Sequence, residues 1–226
     1  MIVIASHDNI ELLEQMLQRL NEINLNGHNV LIVDTNSQSK AYIDAVDQFK
    51  IKYPKFKFDR KDYTCWDTGA YLHAYNNYVS ETYIFLQDSL YITNPNLIEK
   101  IDLNLEVHEV VGIFNFKYLY YSEKELYYAE EGLNQYITSF PRDGIFGPIF
   151  AVHKSTLDKI PKDWFREPTS KEQGCGMERR WSLMFHLIGA SKKYIEYFLS
   201  DGAHQPFWEQ HPSTQTEIRK IWVNRK

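Results

Sequence analysis

Asp34 closes the run VLIVD, Asp88 follows YIFLQ, and Glu178 stands ahead of RRWSLMF. A carboxylate at the end of an apolar strand is either a loop residue reaching solvent or a ligand for something cationic or hydroxylated. One at the head of a helix either complements the positive end of that helix or takes a proton. Ser6 and His7 follow the first apolar run, MIVIA, and set a hydroxyl and an imidazole at a similar place. His204 and His211 lie in the segment DGAHQPFWEQH without zinc-motif spacing, so His204 is either structural or a ligand for phosphate or metal. Cys65 and Cys175 form neither a disulfide framework nor a metal pair. No local histidine activates Cys175, and reduced thiols in a cytoplasmic protein are expected.

The elements that carry these residues alternate. MIVIAS is a short β-branched strand, and HDNIELLEQMLQRLNEI carries Ile10, Leu13, Leu17 and Leu20 at helical spacing, with Asp8 and Glu11 as its capping box. A turn at Asn26-Gly27 leads into VLIVDTNS, followed by the helix SKAYIDAVDQFKIKY and the short strand KFKFDRKD. DTGAYLHAYNNYVSE is the next helix, with Asp67 at its start, and YIFLQ the fourth strand. Strands apolar on both faces that alternate with helices imply right-handed crossovers and a mostly parallel sheet covered by helices. In such sheets ligands bind beyond the carboxyl ends of the strands, where Ser6, His7, Asp34 and Asp88 stand. The later chain predicts strands at EVVGIFNFKYLYY and DGIFGPIFAVHK, a helix that begins after GCG and carries Glu178, and a strand at KKYIEYF.

Composition narrows the function classes. The chain has 226 residues, 43% hydrophobic and 24% charged, with a net charge of −5, enough for a full core and one α/β domain. An acidic balance without a basic face argues against a nucleic-acid partner. The basic finish RKIWVNRK reads as a solvated terminal helix. No apolar run approaches the roughly 18–20 residues needed to span a bilayer, and MIVIASHD has no signal-peptide pattern. Aromatic residues reach 15%, including 16 Tyr and 5 Trp, which suits sugar and base recognition as well as core filling. Trp66 and Trp181 fall to one use or the other. Neither G-x-G-x-x-G nor a P-loop is present.

In this order the pieces resemble the nucleotide-diphospho-sugar transferases of the A-type glycosyltransferase fold, especially the family 2-like group. The resemblance spans roughly residues 1–200: MIVIASHD, the acid-ended VLIVDTNS, DTG in the place of N-x-G, FLQDS at the D-x-D motif, and GIFGPIFAVHK ahead of MERRW. It implies one Rossmann-like domain, with residues 1–100 as the nucleotide-binding half and 101–226 on the acceptor side. It also implies transfer of a sugar from a nucleotide-diphosphate donor, UDP-linked first, to a saccharide or other hydroxyl, with inversion. Ser6, His7, Asp34, Asp67, Gly69 and Asp88 then face the donor, Asp34 through a base N–H or ribose hydroxyl. Glu178 is the general base, and Mn²⁺ or Mg²⁺ is held by Asp88 with His204. The departure is at the metal motif, where Gln87-Asp88-Ser89 keeps only the central carboxylate. One carboxylate suffices when phosphates and waters supply the other oxygens. Two other readings stay open. A nucleotidyltransferase would need a basic, Gly-rich loop that ASHDN does not offer, and a non-catalytic carbohydrate- or partner-binding domain would account for the altered triplet.

Overall fold

The computed structural model describes residues 1–117, 123–138, 143–145, 147–197 and 217–220. The first four strands are β1 (Ile2–Ser6), β2 (Val30–Thr35), β3 (Lys57–Lys61) and β4 (Thr82–Gln87), mutually parallel in the order β3-β2-β1-β4. β1 and β2 are buried along their whole length, as their two-sided apolar sequence requires. β3 lies at the sheet edge, exposed or half-buried along its length except at Lys61. Beyond β4 the direction changes: β8 (Phe150–His153) runs antiparallel to β4 and to β6 (Val110–Lys117). β7 (Asp143–Ile145) continues along the far half of β6 antiparallel, and β9 (Lys192–Tyr197) pairs with β6 in parallel.

Alternate side chains of β1 feed two cores. Ile2 and Ile4 pack with Leu13, Leu17 and Leu20 of α1 (Ile10–Glu22), with Tyr42 and Phe49 of α2 (Lys40–Lys52), and with Ile98 and Ile101 of α4 (Leu97–Leu105). Val3 and Ala5 face the other way, toward Ala70 and Tyr71 of α3 (Trp66–Asn77) and toward Trp181 and Phe185 of α7 (Lys171–Leu187). Two short helices, α5 (Glu123–Glu130) and α6 (Lys154–Leu157), complete the second layer. The chain is thus one α/β domain whose central sheet is covered by helices on both faces, as expected. Trp181, 1% exposed, is core. No described helix is long and apolar enough to cross a membrane.

Three local expectations are corrected. The cap of α1 is Asn9, whose side chain accepts from the Leu12 N–H, because Asp8 sits at φ 49° and cannot take the extended conformation of a cap. Asp8 instead accepts the backbone N–H groups of Gln38 and Ser39 and ties the first loop to the second. The helix carrying Glu178 starts at Lys171, where Ser170 accepts from the Gln173 N–H, so GCG lies inside α7 and Glu178 in its body. Finally, the basic finish begins in a strand rather than a helix: its first two residues, 219–220, end β10 (Ile218–Lys220), which pairs antiparallel with β5 (Leu90–Ile92), and the rest lies outside the described residues. Ile218 is fully buried there, and Glu217 binds Lys100 and Asn94.

Candidate functional site

Sheet register brings the first acids together. Ser6 is paired with Asp34 and Ala5 with Gln87, so the carboxyl ends of β2, β1 and β4 finish in one row. Asp88 follows at once, its N–H bonded to the Ala5 carbonyl, and it is only 5% exposed. Its Oδ2 accepts from the Ser6 hydroxyl at 2.8 Å and from the His7 N–H at 3.3 Å. Ser6 has one proton and gives it to Asp88, so Tyr42, 2.6 Å from the same oxygen, must be the donor to Ser6. Burial pushes the Tyr42 phenol above its ordinary range and keeps that proton in place. Ser6 therefore stands behind Asp88 and orients it. His7 donates from Nδ1 to the Thr35 carbonyl at 3.0 Å, which fixes its ring at the mouth of the cleft.

That cleft encloses about 240 Å³ between His7, Thr64, Trp66, Asp67, Asp88 and Ser89. Gln87 forms part of its wall. Its amide donates to Asp67 Oδ2 at 2.5 Å and to the Gly147 carbonyl at 2.7 Å. The residue that replaces a carboxylate in the triplet thus holds Asp67 in place and locks α3, β4 and the turn before β8 to one another. Sequence reasoning missed this; the sole signal was its place in the triplet.

The other expected residues divide. Asp34 accepts from the Ser37 N–H and hydroxyl at 2.9 and 2.6 Å and lies 3.6 Å from Arg60 Nε. It caps its own loop and opens on a neighbouring hollow with Tyr42, Phe58 and Arg60, not on the Asp88 cleft. Gly69 has a packing reason: a Cβ there would stand 2.3 Å from Cys65 Cβ. The buried Cys65 thiol is pushed up to about 12, chiefly by burial, and is no nucleophile. His204 lies outside the described residues.

Glu178 shares a second pocket, of about 140 Å³, with Trp66, Asp67, Lys171, Gly174 and Cys175. Lys171, Gly174, Cys175 and Glu178 recur at helical spacing and so lie on one face of α7. Trp66 and Asp67 line both this pocket and the Asp88 cleft, so the two are neighbours across one wall. Tyr71 records the convergence. Burial, and then the charges of Asp67, Asp88 and Glu178, raise its phenol well above the ordinary value, while its hydroxyl donates to the Leu86 carbonyl at 3.1 Å.

No cluster of three or more metal-ligating side chains occurs among the described residues. Asp67 and Asp88 offer oxygen donors on one cleft, which fits a hard cation that takes most of its ligands from phosphates and water and does not fit a closed protein cage.

No protein-family model and no curated protein matches the chain. Solved structures do. A mannosyltransferase, PcManGT from Pyrobaculum calidifontis, in complex with GDP-Man and Mn²⁺, superposes with a TM-score of 0.59 at 12% identity, over 86% of this chain and 53% of that one. S. aureus TarS, residues 1–349, gives a TM-score of 0.52 at 13% identity, over 86% and 57%. The chain thus spans little more than half the length of these two structures. At such identity the likeness is one of architecture. The chain has the nucleotide-diphospho-sugar transferase-like fold, the A-type glycosyltransferase architecture.

Proposed function

We propose that this domain moves a sugar from a nucleoside-diphosphate donor, UDP-linked first, to a hydroxyl acceptor with inversion. The observation that carries the reading is the meeting of Asp67, Asp88 and Glu178 at the carboxyl ends of β1 and β4, in two pockets that share one wall. Asp88, oriented by Ser6 and the His7 N–H, and Asp67, held by Gln87, would face the diphosphate and hold Mg²⁺ or Mn²⁺ between them. When bound, that ion supplies charge to the departing diphosphate. Glu178 stands on the acceptor side and removes the proton of the attacking hydroxyl. The GDP-Man and Mn²⁺ of the mannosyltransferase of like fold support a donor and ion of this kind.

A second reading, a binding domain without turnover, is favoured by one observation: the Gln87 amide is committed to Asp67 and Gly147. One experiment separates the two. UDP- and GDP-sugars are screened by thermal shift in Mn²⁺ and in EDTA, and release of nucleoside diphosphate is followed in the same samples after a mixture of saccharide acceptors is added. Transfer predicts stabilisation by a donor, strengthened by Mn²⁺, together with release. Stabilisation without release supports the binding domain, and neither effect ends the transfer reading.

A further inference from the structure

Trp66 opens α3 with its backbone in the left-handed region, at φ 54°. Among the described residues the other non-glycines found there are Asp8, Asn26 and Asn36, types that adopt it readily, whereas a bulky indole is out of place in it. Its ring lies against Gly174 of α7, where a Cβ would stand 3.3 Å from Trp66 Cδ2 and 3.4 Å from Cγ. Glycine inside a helix weakens it, so α7 gives up helical propensity where the indole lies. Trp66 Nε1 is buried with no hydrogen-bond partner among the described residues. Yet the side chain is only partly buried and belongs to neither hydrophobic core. Three local costs therefore fall on a ring that the core does not use.

What the ring does is separate space. With Asp67 it forms the wall common to the Asp88 cleft and the Glu178 pocket. We propose that the Trp66 indole is the partition between the donor and acceptor halves of the site, a positioning residue that keeps bulk water off the donor sugar; this rests on the transfer reading above. Without the ring the two pockets merge, and water reaches the anomeric carbon in place of the acceptor hydroxyl. Water oxygen then bonds to that carbon, and the bond to the diphosphate oxygen breaks with its electron pair. The water's proton passes to Glu178, and free sugar and nucleoside diphosphate leave.

The test uses the full chain with Mn²⁺ and three probes, UDP-glucose, UDP-N-acetylglucosamine and GDP-mannose, without acceptor. Trp66→Gly relieves the backbone and removes the ring. It should melt at or above the wild-type temperature while releasing nucleoside diphosphate into water roughly fivefold faster, with donor KM changed less than about threefold. Gly174→Ala, which displaces the ring without removing it and strengthens the helix, should melt higher and raise release by about twofold. If both variants release nucleoside diphosphate at the wild-type rate, the partition is wrong and the transfer reading stands. A melting temperature lowered by more than about 5 °C in Trp66→Gly marks a core side chain and also overturns it. Should the wild type neither bind nor turn over any of the three probes, the transfer reading fails and the partition falls with it.

Discussion

Glu178 and Gln87 carry opposite kinds of test. Glu178→Gln keeps the shape of the side chain but cannot accept a proton, so transfer should slow by about 10²–10⁴-fold with donor affinity and melting temperature nearly unchanged. Single-turnover kinetics beside a thermal melt decide it, and a rate within about twofold of wild type ends the assignment. Gln87→Glu removes both amide donors and turns a carboxylate toward Asp67 and the Gly147 carbonyl. Ionisation there is opposed, so the folded carboxyl titrates above an unfolded glutamate. Its stability is intact below about pH 4 and is lost as pH rises through the higher folded value. Urea melts should show a loss of about 1–3 kcal/mol at pH 7 and little at pH 4. At this scale the shared cleft of Asp88 and Asp67 was legible in part, since an acid that ends an apolar run or begins a helix is visible in one dimension. The duty of Gln87 was hidden, because Gly147 reaches it only when the chain folds back 60 residues.

Among the elements, the pairing of β6 with β9 depends on a missing side chain. A Cβ on Gly112 would meet the Tyr194 ring at 2.6 Å across the two strands. Gly112→Ala should cost about 1–3 kcal/mol, and Tyr194→Ala in the same chain should return part of it; additive losses in a double-mutant cycle would refute the contact. Elements were legible where their pattern was local. The first four strands and their helices follow from two-sided apolar runs divided by amphipathic ones. The start of α7 was misplaced although Ser170 and Gln173 stand at capping spacing, because two glycines outweighed them as breakers. β10 is three residues long, and its burial comes from β5, more than a hundred residues away, so no window of sequence contains its reason.

For the molecule as a whole, acid is the direction of weakness. Burial alone would raise the Asp59 and Glu217 carboxyls, but hydrogen bonds outweigh it and hold both low. Those bonds come from His73, Tyr78 and the Arg60 N–H at Asp59, and from Lys100 and Asn94 at Glu217. Lys159 and Lys154 hold Glu109 and Asp158 low at the surface. A depressed carboxyl contributes stability above its unfolded value that disappears as pH falls through the folded one. The melting temperature should therefore decline below about pH 4.5, with amide exchange rising at β5 ahead of the inner strands as Glu217 is protonated. A flat profile down to about pH 3 would contradict this. The topology has one more consequence, for synthesis. β8 is wedged between β4 and β6, although it follows both in the chain. While a ribosome is still making residues 88–149, the finished β4 must wait with a bare row of N–H and C=O groups, open to the nascent chains of neighbouring ribosomes. The strand that carries Asp88 at its tip is thus one that a cell must shield until β8 emerges.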